Sequence, residues 1–253
     1  MNRYAKLKAL LCLFIIVSIC GGCKYNKVSE TDDLNSDLVY ASSKIYNNIE
    51  TGNGLIFIFP DFSKIDLVCG SMPSQNDSSV ILVAEAAYTG ECLKEFKHTN
   101  IAGDHVSSGK RYIGYRCSRN TGAFVYYKGK WKFCYKNYSN ELDSAALYGG
   151  AAFAQELIIK DNEALNTPRR DGSKNIFRAL CEVSGKLCIV ESDSTTTFGN
   201  FKRNLLEVKI ENAIYLDMGS GWNYAWYRTA DKIVELHPKT YNYCTNWITF
   251  YEN

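Results

Sequence analysis

The sequence predicts a mixed α/β domain of the α+β kind, a central mixed β-sheet with a few flanking helices, spanning residues 37–253. Three observations predict it. Short apolar runs rich in Val, Ile, Leu and aromatic residues recur along the chain, separated by Gly- and Asn-containing turns. Between them lie stretches whose apolar residues fall at helical spacing. Near the C-terminal end one such stretch feeds directly into a short strand-like run, as a helix leading into a sheet does. The composition agrees. Of 253 residues 46% are hydrophobic and 4 are Pro, which supports a substantial core and excludes disordered, collagen-like and coiled-coil chains. The 18 Tyr, 12 Phe and 4 Trp suit strands and a carbohydrate-facing surface equally well.

The first residues read as an address. Arg3, Lys6 and Lys8 precede an apolar run, Ala9–Ile19, that is short for a membrane-spanning helix. The run ends in Cys20-Gly21-Gly22-Cys23 and a polar stretch follows. Small residues before a cysteine resemble a bacterial lipoprotein signal, with residues 1–22 removed, Cys23 lipidated and 23–36 a tether. The implied location is the cell envelope, held to a membrane through the lipid. Losing the leader leaves 26 basic against 27 acidic residues, so no charge excess favours nucleic acid.

The elements follow in order. Leu38, Ala41, Ile45 and Ile49 have helical spacing, ended by Gly52 and Gly54. Leu55–Phe59, Ile65–Cys69 and Val80–Ala84 read as strands, as do residues 111–117. Ala123–Tyr127 and Lys130–Tyr135 form a hairpin across Lys128-Gly129. Asn140 caps a short helix, Leu157–Ile159 is a strand, and residues 160–175 are a polar loop. Phe177–Val190 folds back at Ser184-Gly185, placing Cys181 opposite Cys188. Asn200 is the candidate cap of a helix carrying Phe201, Leu205 and Val208 on one face. Ala213–Leu216 is a strand ending at Asp217, and 241–251 is the final strand.

Seven cysteines are left once Cys12, Cys20 and Cys23 are assigned to the leader and the lipid. Export permits disulfides, and Cys181 with Cys188 reads either as a bridge or as two buried thiols. Neither a second CxxC nor closely spaced histidines suggest a metal, and no cofactor motif is present.

The order of several segments carries a likeness. Phe177-Arg178-Ala179-Leu180, a glycine-turn hairpin, Thr197-Phe198-Gly199, a helix, and then Ala213 through Leu216-Asp217-Met218-Gly219-Ser220-Gly221 resemble the phosphodiester glycosidase family. Val83-Ala84-Glu85-Ala86-Ala87-Tyr88-Thr89 looks like that family's Asn-Gly-Gly-Phe-Phe motif, with Glu85 where Asn is usual. Leu157–Asn162 lies where the family has a strand and turn, so the likeness spans about residues 80–253. Met218 replaces a glycine, which marks a divergent branch with a changed substrate or lost activity.

The resemblance implies a hydrolase that splits a sugar-1-phosphodiester in exported glycans. Asp217 at a strand end and Glu85 would supply the two carboxylates that glycoside cleavage generally requires, and His105 a proton. Arg178, with Gly219, Ser220 and Gly221, would hold the phosphate, while Trp222 and Tyr88 contact the sugar. Glu156, His98 and Asp104 are lesser candidates, and His237-Pro238 reads as a turn. The alternative is a non-catalytic surface lipoprotein that binds glycans through Trp222, Tyr224 and Trp226.

Overall fold

The computed structural model describes residues 44–90, 95–167, 169, 172–219, 223–238 and 245–252. The leader, Cys23 and the first part of the 38–49 segment lie outside these residues, as do Ser220, Gly221 and Trp222. In chain order the elements are β1 (Asn47–Gly52), β2 (Leu55–Pro60), β3 (Phe62–Cys69), β4 (Val80–Glu85), a 3-10 turn (His98–Asn100), β5 (His105–Ser107), β6 (Lys110–Tyr112), β7 (Gly122–Tyr127), β8 (Lys130–Tyr135), α1 (Ser139–Leu147), β9 (Ala151–Gln155), β10 (Leu157–Lys160), β11 (Glu163–Ala164), β12 (Arg178–Val183), β13 (Lys186–Ser192), α2 (Phe198–Glu207), β14 (Asn212–Leu216), β15 (Ala225–Arg228), β16 (Ile233–Leu236) and β17 (Asn246–Glu252).

The strands form a seven-stranded sheet, β1-β2-β13-β12-β14-β10-β11, and two five-stranded sheets, β16-β15-β4-β17-β3 and β6-β5-β9-β7-β8. Every strand pairing is antiparallel. This corrects the expected α+β domain with a mixed sheet. The described chain is β-rich, with three antiparallel sheets and two α-helices.

The physical reason lies in the turns. Five hairpins close through two residues that both have positive φ: Asn53-Gly54, Ser108-Gly109, Lys128-Gly129, Asp161-Asn162 and Ser184-Gly185. Such a turn matches the twist of two antiparallel strands, whereas a parallel pair needs a crossover of a dozen or more residues. Asn53-Gly54 outweighs the helical spacing of 38–49, and its first strand, β1, begins at Asn47. Of the described residues of that spacing, Ile49 packs on the core and Ile45 is 68% exposed.

The seven-stranded sheet buries both faces. One carries Ile58, Leu180, Ile189, Ile214 and Leu216, which share a core with Leu67, Leu82, Phe124, Phe153 and Phe250 of the other sheets. The opposite face carries Ala179, Cys181, Val190, Ala213 and Tyr215 and is covered by Phe198, Phe201 and Leu205 of α2. Burying each such large apolar side chain stabilises by about 1.5–3 kcal/mol. The cap of α2 is Thr197 rather than Asn200. The Asn200 N–H donates to the Thr197 hydroxyl at 3.2 Å, three residues on, as N-cap geometry requires. The shorter α1 packs Leu142 and Ala145 on Val106, Val125 and Ala152.

The hairpin at Ser184-Gly185 has the predicted register, Val183 opposite Lys186 and Cys181 opposite Cys188. Both thiols are nevertheless free and buried, and none of the described cysteines is bridged. A two-residue turn makes its closing pair hydrogen-bonded, and two positions further on the pair is hydrogen-bonded again. Side chains at such sites start farther apart than a bridge prefers.

Candidate functional site

Asp217 follows β14, and its N–H donates to the Ala86 carbonyl at 3.1 Å. That bond ties the strand end to the segment after β4, which carries Tyr88 and Thr89. The carboxylate is 7% exposed and accepts the Gly219 N–H at 3.1 Å. Burial is the dominant influence. It raises the pKa from 3.8 to about 6, against the opposing pull of the Gly219 N–H and the Arg169 guanidinium.

The group opens on a cavity of about 260 Å³ whose walls include Tyr88, Arg119, Arg169, Tyr215 and Gly219. Arg169 organises one side. Its guanidinium lies 4.2 Å from the centre of the Tyr215 ring, and its Nη2 donates to the Tyr88 hydroxyl at 2.7 Å. The Tyr88 hydroxyl donates in turn to Glu156 Oε2 at 3.1 Å, and the Arg169 N–H donates to Glu156 Oε1 at 3.2 Å. Glu156 is fully buried, so its carboxylate takes its hydrogen bonds from this wall. Burial pushes the Tyr88 hydroxyl well above the usual phenol range, against the opposing charge of Arg169, and keeps it a donor at neutral pH. Arg119 sits over the outer face of Tyr88, 5.8 Å from its centre. A site with two guanidinium groups, two phenol rings and a carboxyl that holds its proton near pH 6 suits a ligand that is both anionic and sugar-like.

The sequence-predicted residues divide among three places. Asp217, Gly219 and Tyr88 meet at this cavity. Arg178 is fully buried on the other side of the sheet. It registers against Leu216 and so shares the inter-sheet face of Leu216 and Leu180, whereas Tyr215 points toward the cavity. Its Nε donates to Glu191 Oε2 at 2.8 Å and its Nη2 to the Asn223 carbonyl at 3.1 Å. His237, expected only as a turn residue, adopts φ 54° and brings its Nε2 to 2.9 Å from Glu191 Oε1. Burial works to raise the Glu191 carboxyl, but Arg178 and His237 outweigh it and hold it below the ordinary value.

Glu85 ends β4 opposite Trp247, fully buried and outside the cavity walls. His105 is also fully buried, and burial lowers its pKa to about 4, so it is neutral at pH 7. It lies beside His98 and Cys69, the donor atoms of the three falling within 4.8 Å of one another. The imidazoles of His98 and His105, seven positions apart in sequence, are thus neighbours. Tyr224 and Trp226 are core residues, exposed by 2% and 0%. They therefore form no open platform for a glycan, and Trp222 lies outside the described residues.

Arg119 and Arg169 are the residues that sequence reasoning misses. The only signal for Arg169 is its place in the Arg169-Arg170 doublet of a polar loop. Arg119, in a loop of Ser and Asn, carries none.

No family model and no curated protein sequence matches the chain. Its fold is similar to that of a solved structure, the catalytic domain of zebrafish N-acetylglucosamine-1-phosphodiester alpha-N-acetylglucosaminidase auto-inhibited by its pro-peptide. The TM-score is 0.54 and the identity 12%, over 83% of each chain. A hypothetical protein from Synechocystis matches at TM-score 0.47 and 10% identity, over 82% of this chain and 61% of that one, and carries no argument. The first likeness is one of fold alone.

Proposed function

We propose that the chain is an exported, lipid-anchored hydrolase that splits sugar phosphodiesters between the anomeric carbon and the phosphate oxygen. The observation that carries this reading is the placement of Asp217, a buried carboxyl whose pKa burial raises to about 6, at a cavity lined by two guanidinium groups. In this reading Arg119 and Arg169 hold the phosphodiester oxygens and the rings of Tyr88 and Tyr215 flank the sugar. Water bonds to the anomeric carbon as the carbon–oxygen bond breaks. Asp217 donates its proton to the departing phosphate oxygen and regains one from the attacking water. Glu156, buried behind the wall, holds Tyr88 and Arg169 in place. The fold shared with a phosphodiester glycosidase catalytic domain supports the reaction class, as does the sequence likeness at Ala213–Gly221. Lipidation at Cys23 would keep the site at an envelope surface, among glycan phosphodiesters. Among the described residues no helix is long and apolar enough to cross a membrane.

The test is release of free sugar from an N-acetylglucosamine phosphodiester by the whole chain in detergent. We expect turnover by the wild type and a fall of about 10²-fold or more in Asp217→Asn. No release by the wild type, or equal release by the variant, removes the hydrolase reading.

A further inference from the structure

Away from the cavity, Cys69, His98 and His105 bring one thiol sulfur and two imidazole nitrogens within 4.8 Å of one another. We propose that this cluster is a binding site for a thiophilic d10 cation, Zn²⁺ in the first instance. The inference does not depend on the hydrolase reading.

Two nearby segments, the 3-10 turn and β5, converge there with the end of β3. Cys69 is the last residue of β3, His98 opens the 3-10 turn and His105 is the first residue of β5. The orientation of the rings is that of metal ligands. His105 Nδ1 lies 3.2 Å from the Gly103 carbonyl, so its N–H donates there and the lone pair of Nε2 faces the cluster. A backbone carbonyl that fixes the tautomer of a ligating histidine in this way is the usual outer support of a zinc site. His98 Nδ1 stands 2.9 Å from His105 Nε2, and the His98 ring is stacked on Tyr112 with centroids 3.4 Å apart. The Cys69 sulfur is held by a long contact to the Leu67 carbonyl, 3.9 Å, and by a hydrogen bond with the Ser107 side chain, both of which a metal would replace.

Bond lengths near 2.05 Å to nitrogen and 2.3 Å to sulfur place tetrahedral donor atoms about 3.3 Å and 3.6 Å apart. The imidazole pair therefore opens by a few tenths of an ångström, and the sulfur closes in by rotation about the Cys69 side chain. A thiolate with two imidazoles selects Zn²⁺ or Cu⁺ over hard cations, which prefer oxygen. Three protein donors leave the fourth tetrahedral position to water. The ion would join β3, the 3-10 turn and β5, and so fasten the later end of the connection from β4 to β5 to the end of β3. That connection carries Tyr88 and Thr89 to the cavity wall.

The experiment uses the whole chain in detergent, reduced and stripped with a chelator, then titrated with Zn²⁺ against a chromophoric competitor. Co²⁺ serves as the spectroscopic probe, and Cu⁺ is titrated separately. We expect one equivalent of Zn²⁺ per chain, and a Co²⁺ complex with tetrahedral d–d bands and a thiolate charge-transfer band. Cys69→Ser removes the charge-transfer band. His98→Gln, at a partly exposed position that tolerates polarity, weakens Zn²⁺ by at least about tenfold, the lower bound for disturbing such a site. His237→Gln, at a remote histidine, leaves binding unchanged. Preference for Cu⁺ with the same dependence on Cys69 and His98 assigns the site to that d10 ion. Failure of the wild type to retain either ion overturns the proposal. Equal binding by wild type, Cys69→Ser and His98→Gln, with circular dichroism showing all three folded, also overturns it.

Discussion

Two buried ionisable groups lie on neighbouring stretches of the same seven-stranded sheet and meet opposite circumstances. On the inter-sheet face, Arg178 and Glu191 neutralise one another, with His237 and the Asn223 carbonyl beside them. On the other face, Asp217 has Gly219 as a backbone donor and a cavity before it. One pull lowers a carboxyl pKa and the other raises it, although both carboxylates are more than nine-tenths buried. The lesson concerns alternation. Arg178 registers against Leu216, one residue from Asp217, and that single step sends the two side chains to opposite sides of the sheet. Proximity in register is not proximity in space when the groups differ in parity. A charge buried against its counter-charge serves structure, whereas a carboxyl kept partly protonated beside open space is available for chemistry.

The sharpest way to break this contrast is to remove each group in turn. Asp217→Asn should lower turnover by about 10²-fold or more while leaving a folded chain, read by sugar release and circular dichroism together. Glu191→Ala should do the reverse. Stranding the Arg178 guanidinium in the interior should cost about 3–5 kcal/mol in denaturant unfolding. Replacing both partners, Arg178→Met with Glu191→Leu, should recover most of that loss, since a buried pair exchanged for apolar residues is often neutral. If the double variant is as unstable as the single, the pair contributes more than mutual neutralisation.

A smaller effect is read by pH. The folded chain binds the Asp217 proton more tightly than the unfolded chain, at about 6 against 3.8. Its stabilising contribution is therefore complete below about pH 3.8 and is lost as pH rises to about 6. Across that window the wild type should lose about 3 kcal/mol relative to Asp217→Asn, at 1.36 kcal/mol per pKa unit. Parallel stability curves would place the Asp217 carboxyl in the ordinary range and dissolve the contrast with Glu191. Smallest of all, Thr197→Ala should cost about 1 kcal/mol through the lost cap of α2, which covers the Tyr215 face and leaves the Arg178 face untouched.

Much of the strand pattern was legible because the signals were local. Lys128-Gly129 and Ser184-Gly185 specify two-residue turns, and the strands on either side pair in the register those turns dictate. The same logic applies at Asn53-Gly54, where the hairpin makes residues 47–52 a strand against the helical spacing that leads into it. Asp217 was legible as a carboxylate at the end of a buried strand, and Tyr88 came with the likeness upstream. Arg169 and Arg119 were not, because each reaches the cavity from a loop whose path is set by tertiary contacts. The partners of Arg178 were hidden for a related reason. Glu191 faces it across a hairpin, but His237 arrives from another sheet. The Cys69–His98–His105 grouping was invisible because only folding brings Cys69 to the two histidines.

The placement of β17 has a consequence for how the chain acquires its structure. Residues 246–252 form an inner strand of their sheet, between β4 and β3, with Glu252 opposite Phe62. The local hairpins form rapidly from nearby residues, but this sheet closes only when segments nearly two hundred positions apart meet, a search that slows folding. A chain emerging amino-end first would keep β3 and β4 waiting, with their inner edges unpaired, until its final segment arrived.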